Sequence, residues 1–517
     1  MSDNNDLQQR KIKSIDKIIT IVSMVMLCII PLIIFKKNIT AFTPMFDGGE
    51  YATGQHIEMY NYLKSILLNI GSLSLLCMLI YKLVALKATI KKDYINIILM
   101  VLTIAIIISP IISEYTDIAI FGNIKRYEGS LAWTSYIIIF FVIYNINIEK
   151  KYIKGFFFVV APFILLNLII GSTISENPNQ TSGIMAVIFL TTFMYILLEK
   201  NQKIKIALII TSVIVFTILA KTNTSSGYIT IALTLPVLLA VGIRFTNIKN
   251  IATWTLITLI PNGLIYAIYP SKIGIISKIN EISPIIIPGI IATILIIFLL
   301  IKLINRKIVF DILIICLLLV ISMGAGKLSD NIKEEQRIIG EEITKAKKQS
   351  PNITQEEIEE IENSIEKIED SKIYKNINEI TSNGLERWIQ TIDMASQKKP
   401  IVHGLDTSPY YTSVYDDKFL DSPSSWYLSI MYGTGIVGLI GLLSVVMYIS
   451  RSVLYSAFDK INNKYIYIFG VGAIAYSLQG IFNDSTIGTS IIFWMFAGLA
   501  LNQISSQTQE RISQEEK

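Results

Sequence analysis

Two segments combine side chains able to do chemistry: RYEG, Arg126-Tyr127-Glu128-Gly129, and far downstream Arg387-Trp388 followed by Pro400, His403 and Gly404. Arginine keeps its charge and presents a planar fork that holds phosphate oxygens two at a time, so Arg126 and Arg387 are the first candidates for an anionic ligand. Lys125 and Lys221 join them because they break the charge pattern of the loops; ordinary interfacial snorkelling is the bland alternative. His403, one of two histidines in the chain, titrates at about 6.5 when unperturbed and is the natural proton acceptor. A solvated loop imidazole is the plain alternative, and Asp421 is a second candidate base. The spacing Asp47-Gly-Gly-Glu50 offers no Asp-x-Asp pair, so neither a metal nor another cofactor is expected, although Asp416-Asp417 leaves a cation site open.

These residues sit among elements of one kind. Of 517 residues, 52% are hydrophobic and 16% charged, where a soluble domain carries about a quarter charged residues. Apolar runs of roughly 20 residues recur, each able to cross a hydrocarbon core of roughly 30 Å as a helix. The expected fold is all-α and polytopic, with about fourteen spans at 18–35, 65–84, 94–112, 131–148, 153–171, 182–198, 204–220, 226–243, 251–269, 283–301, 308–325, 426–450, 465–482 and 487–504. The three cysteines fall inside apolar runs, far apart, which argues against a disulfide framework. The first run lacks a small-x-small cleavage pattern and reads as an uncleaved span.

Alternate loops are basic, for example Lys82, Lys87, Lys91 and Lys92, then Lys200, Lys203 and Lys205. The positive-inside bias therefore places both termini in the cytoplasm and Lys327 to Ser425 outside, in a multi-pass protein of the cytoplasmic membrane. The organisation is a first bundle over 1–325, a large external loop over 326–425, three final spans over 426–504 and a tail over 505–517. Because the basic residues set topology, no nucleic-acid partner is expected. In the large loop, Thr354-Gln-Glu-Glu357 forms a capping box and isoleucines recur at three and four, which predicts a helical hairpin over 330–380. Gly433, Gly435, Gly438 and Gly441 open the next span, and close helix packing is the simplest reading of Gly438 and Gly441.

Together these residues resemble the O-antigen ligase and polymerase family of bacterial membrane glycosyltransferases. The matches are Arg387, Trp388, Pro400, Gly404, Leu428, Gly435, Ile436, Val437, Gly438 and Leu439, with RYEGSLAWTSY (Arg126 to Tyr136) similar to a segment of Gram-positive members. NTSSGYITIAL resembles a further motif that opens a span. The family's His-Asn pair falls on Ser424 and Ser425 and one of its arginines on Ser226, so those roles do not carry over.

The resemblance implies a GT-C-like bundle that moves a glycan from a polyprenyl-diphosphate carrier to a hydroxyl of a glycan or lipid acceptor on the outer face, among membrane lipids. For such a transfer the residue chemistry puts Arg126, Arg387, Lys125 and Lys221 forward for the carrier diphosphate and His403 or Asp421 for the acceptor proton. Glu128, Gly129, Trp388, Gly404, Ser424, Ser425 and Gly435 belong to the matching motifs. A lipid-linked oligosaccharide transporter and a catalytically degenerate member are the alternatives; no tandem or inverted repeat, which a transporter would be expected to show, is visible. The topology is testable with single cysteines at Ser371 and Lys92 in a cysteine-free background: an impermeant thiol reagent on intact cells is expected to label the first and spare the second. The opposite pattern inverts the topology.

Overall fold

The computed structural model describes residues 2–33, 35, 37–47, 50–58, 61–124, 126–158, 177–222, 224–268, 384–397, 402–415, 422–459 and 461–515. The chain divides into two units, residues 1–273 with 390–517, and residues 274–389. Of the second, the described part is 384–389. The hairpin expected at 330–380, the spans at 283–301 and 308–325 and most of that at 153–171 lie outside the described residues, as do Lys125, Pro400 and Asp421.

The first unit runs α1 (Ser2–Leu32), β1 (Lys37–Asp47), β2 (Glu50–Glu58), α2 (Tyr62–Val84), α3 (Tyr94–Ile112), α4 (Thr116–Phe121), α5 (Ser130–Asn145), α6 (Lys150–Phe158), α7 (Pro178–Leu198), α8 (Gln202–Thr222), α9 (Ser225–Phe245) and α10 (Ile248–Ile268). After α11 (Gly384–Gln397) come α12 (Ser408–Tyr415), α13 (Trp426–Phe458), α14 (Lys464–Gln479) and α15 (Ile487–Glu515). Eight described helices are long and apolar enough to cross a membrane: α1, α2, α3, α7, α8, α9, α13 and α15. The bundle is helical, as expected, and the expectation needs one correction in a loop, where β1 and β2 pair antiparallel with a register shift between Ala41 and Met45. In sequence Gly48-Gly49 joins the two strands, a two-residue hairpin signal that a count of apolar runs passes over.

Burial separates the helices into two sets. On α3, Ile97, Met100, Ile104 and Ile111 are exposed, as are Ile436, Val437 and Ile440 on α13. Such aliphatic belts are intolerable facing water and natural facing lipid. In contrast α7 and α14 are buried on nearly every face, and α15 is buried through most of its apolar part. With no hydrophobic gain from hiding one apolar helix against another in lipid, close packing does the work. A Cβ on Gly472 of α14 would lie 2.6 Å from Thr191 Oγ1 of α7 and 2.7 Å from Phe496 of α15. Gly441 serves likewise against Leu102 of α3, whereas at Gly438 the nearest atom belongs to Thr434 of the same helix. The packing role thus holds for Gly441 alone of that pair.

One end of the bundle is tied by polar groups. Lys82 Nζ meets Asp16 Oδ1 at 2.6 Å, both side chains nearly sealed from solvent, and Asp16 Oδ2 accepts the Asn147 amide. Asn502 donates to the carbonyls of Ile143, Tyr144 and Ile146. It thereby satisfies groups that a helix C-terminus leaves open, and α5 ends at Asn145, short of the expected 148. Asp16→Ala leaves the Lys82 ammonium without its counter-charge, and is expected to cost about 3–5 kcal/mol. Asp16→Leu with Lys82→Met is expected to recover much of that loss, as read by thermal unfolding in detergent.

Candidate functional site

At the opposite end, α13 is broken. Gly435 has φ 72° and ψ −171° inside an otherwise helical run, a left-handed conformation that favours glycine. A continuous helix would commit the carbonyls of Tyr432 and Gly433 to the amides four residues on. Here Tyr432 O accepts the His403 amide at 3.2 Å and Gly433 O accepts the Gly404 amide at 3.1 Å. Gly433 O also takes the Ser109 hydroxyl at 2.7 Å. The segment after residue 402 is therefore held against α13 by backbone bonds, and a Cβ on Gly433 would meet Leu405 Cα at 2.9 Å. Gly404 is equally constrained: φ is +101°, and a Cβ would lie 2.4 Å from Ser113 Oγ.

This docking delivers Asp406. Its Oδ1 accepts Arg126 Nε at 2.7 Å, and its Oδ2 accepts the amides of Asn123 at 2.7 Å and Glu128 at 3.3 Å. The loop that carries RYEG folds around this carboxylate. It is pinched at its base, where a Cβ on Gly129 would strike Gly122 N at 2.4 Å. Burial pushes the Asp406 carboxyl up from its ordinary value, opposed by the Arg126 guanidinium and the two amides.

Glu128 follows at the head of α5 and is 5% exposed. Its Oε1 accepts the Tyr136 hydroxyl at 2.6 Å and its Oε2 the Ser485 hydroxyl at 2.8 Å. Burial raises this carboxyl to about 8 despite both hydrogen bonds. Asp484, next in line, accepts the Ser425 amide and the Ser429 hydroxyl.

These groups line one shallow cleft, walled by Trp133 and Tyr432 and reached by Ser422 and Pro423. Trp133 stacks on Trp426 with centroids 6.0 Å apart, and Trp494 meets both edge-on. The described lining carries one cation, Arg126, against the carboxyls of Glu128, Asp406 and Asp484. Arrays of carboxyls, hydroxyls and indole can hydrogen-bond and stack on a hydroxyl-rich molecule.

Several sequence candidates stand elsewhere. His403 is fully buried, stacked on Tyr432 at 4.4 Å and edge-on to Tyr411 at 5.0 Å. The plain expectation of a solvated loop imidazole is therefore corrected, and the ring stands behind the cleft wall that Tyr432 forms. Ser425 is buried and anchors the start of α13, donating to Gly480 O, while Ser424 turns the chain with φ 53°. Ser226 bonds Asn179 O at the start of α9. Lys221 is exposed at the end of α8. Arg387 and Trp388, on α11, belong to the second unit, and Arg387 is exposed.

Asp406, Asp484 and Ser485 are not among the residues that the sequence singles out. The available signals were the acid two residues beyond His403-Gly404 and the polar Asn483-Asp-Ser-Thr486 between two apolar runs. Comparison of the chain with protein-family models, curated proteins and solved structures finds no match.

The Arg126 and Asp406 side chains are 13% and 4% exposed, so each depends on the other. Arg126→Ala and Asp406→Ala are each expected to cost about 3–5 kcal/mol. In a double-mutant cycle read by unfolding, the pair is expected to couple by about 0.5–3 kcal/mol. Additive losses would mean that the ion pair does not bear on stability.

Proposed function

We propose that the chain is a membrane glycosyltransferase, which moves a glycan from a polyprenyl-diphosphate carrier to an acceptor hydroxyl on the outer face. The observation that carries the reading is the meeting, in one cleft, of three segments far apart in sequence: RYEG, the turn after His403-Gly404, and the stretch beginning at Ser422. Two of these carry the family-like motifs, and the third leads into another. The carboxyls and aromatic walls supply what an acceptor sugar needs: paired acceptors for its hydroxyls and flat apolar faces for its ring. Arg126 stands at the edge of this array. In this reading it stabilises the charge that develops on the departing diphosphate.

The division of labour is thus altered from the first expectation. The acceptor side is built from Asp406, Asp484 and Glu128, and His403 acts through Tyr432 rather than on the substrate. The three aliphatic residues exposed past Gly435 on α13 face lipid, consistent with a carrier that enters sideways from the membrane.

Purified protein incubated with a polyprenyl-diphosphate-linked oligosaccharide, without nucleotide sugar, is expected to release the carrier diphosphate and lengthen or transfer the glycan. A transporter would leave the linkage between sugar and diphosphate intact in that assay. Arg126→Lys keeps the charge and loses the fork, and is expected to lower the transfer rate by about 10²–10³, the usual effect of losing one stabiliser of developing charge. His403→Ala, by contrast, is expected to act chiefly through the fit of Tyr432; a loss confined to the ionisation of a group near pH 6.5 would restore His403 as the base.

A further inference from the structure

Glu128 stands at the cleft end of a continuous chain of buried hydroxyls. From its Oε2 the chain runs through Ser485, to Ser490 at 2.6 Å, to Tyr476 at 2.9 Å, to Thr489 at 3.2 Å and to Thr486 at 2.8 Å. In each link beyond Ser485 either oxygen can donate. When Glu128 is ionised, Tyr136 and Ser485 both donate to it. Once it carries a proton, it donates to Ser485, which turns to donate to Ser490; Ser490 then donates to Tyr476, Tyr476 to Thr489, and Thr489 to the Thr486 carbonyl at 3.3 Å, while Thr486 keeps its donation to Thr489. Every hydroxyl has one proton and two lone pairs, so reversal costs only rotations and leaves no buried polar group unsatisfied. A carboxyl with a purely structural role needs partners for one protonation state; this one has partners for both.

We infer that Glu128 is the group that takes the proton from the acceptor hydroxyl in the cleft, and that the Ser485–Ser490–Tyr476 chain reorients to hold it. The inference rests on the glycosyl-transfer reading. In the step, the acceptor oxygen bonds to the anomeric carbon as the bond from that carbon to the diphosphate breaks. The bonding pair leaves on the diphosphate, and the acceptor's proton moves to the Glu128 carboxylate and then to water in the cleft. The charged and titratable groups facing Glu128 are Arg126 and Asp406 from the loops, Tyr136 of α5 and Tyr476 of α14. Asp484 adjoins Ser485, and buried Lys64 of α2 lies beside Gly488.

The raised value, about 8, fixes the sign of the pH effects. The protonated carboxyl is favoured by the fold, so its contribution to stability is complete below the ordinary 4.5 and is lost as pH rises through about 8. Glu128→Gln is neutral at every pH, so it is expected to fold and to flatten that loss in a thermal-unfolding series. Transfer needs the ionised form and is expected to rise with pH towards a plateau above about 8. Glu128→Gln is expected to lower transfer by about 10²–10⁴. Ser485→Ala removes a bond that holds the carboxyl down, and shifts the rising limb to higher pH. If wild-type protein transfers the glycan and folded Glu128→Gln does so within a few-fold, the inference falls and the transfer reading stands. The inference falls in the same way if Ser485→Ala leaves the pH profile in place. If wild-type protein binds the carrier-linked glycan and transfers nothing at any pH, the transfer reading falls and takes the inference with it.

Discussion

The site depends on a helix that stops being a helix at one residue. Gly435 takes a backbone conformation closed to ordinary side chains, and the carbonyls of Tyr432 and Gly433 are released from their usual partners. Exposed carbonyls inside an apolar bundle are costly, so they must be met. The amides of His403 and Gly404 and the Ser109 hydroxyl meet them. That exchange of partners brings the segment after residue 402 onto α13 and aligns Asp406 with the loop containing Arg126. The glycines at 404 and 433 follow from the same constraint, since each lies where a neighbouring segment passes too close for a Cβ.

Asp406 then organises the cleft by accepting one guanidinium and two amides. Burial alone would drive its proton on; the three donors oppose that. Glu128 presents the other balance. Its partners are neutral hydroxyls, Tyr136 and Ser485, and these compensate burial less than a guanidinium does. The two carboxyls, both raised by burial, thus differ in their partners, one held by a guanidinium and two amides and the other by two hydroxyls.

The rest of the bundle is a scaffold for lipid. Aliphatic residues face outward on α3 and α13 while α7 and α14 are enclosed, and small residues at their crossings let backbones approach. At the end away from the cleft, the Asp16–Lys82 pair and Asn502 take up the groups that helix ends leave open. Rigidity there keeps α5 and α15 in register, and Glu128 and Ser485 stand at the other ends of those same two helices.

The helical, membrane-crossing character was legible in sequence, because hydropathy over roughly 20 residues is a local property that the bilayer imposes on any chain. Positions of most described spans followed from it. The hairpin at Lys37–Asp47 and Glu50–Glu58 was signalled only by Gly48-Gly49, which carries no hydropathy. Which polar residues share the cleft was not legible: Asp406, Glu128 and Asp484 are separated by hundreds of residues or by whole helices, and their meeting depends on how helices cross. His403 shows the limit most clearly. Its type announced a titrating group in a polar stretch, yet the backbone bonds that the break at Gly435 makes available draw it between Tyr432 and Tyr411. Residue type and hydropathy are set one position at a time; burial and partnership are set by the neighbours that the folded chain brings, and only the tertiary structure assigns those.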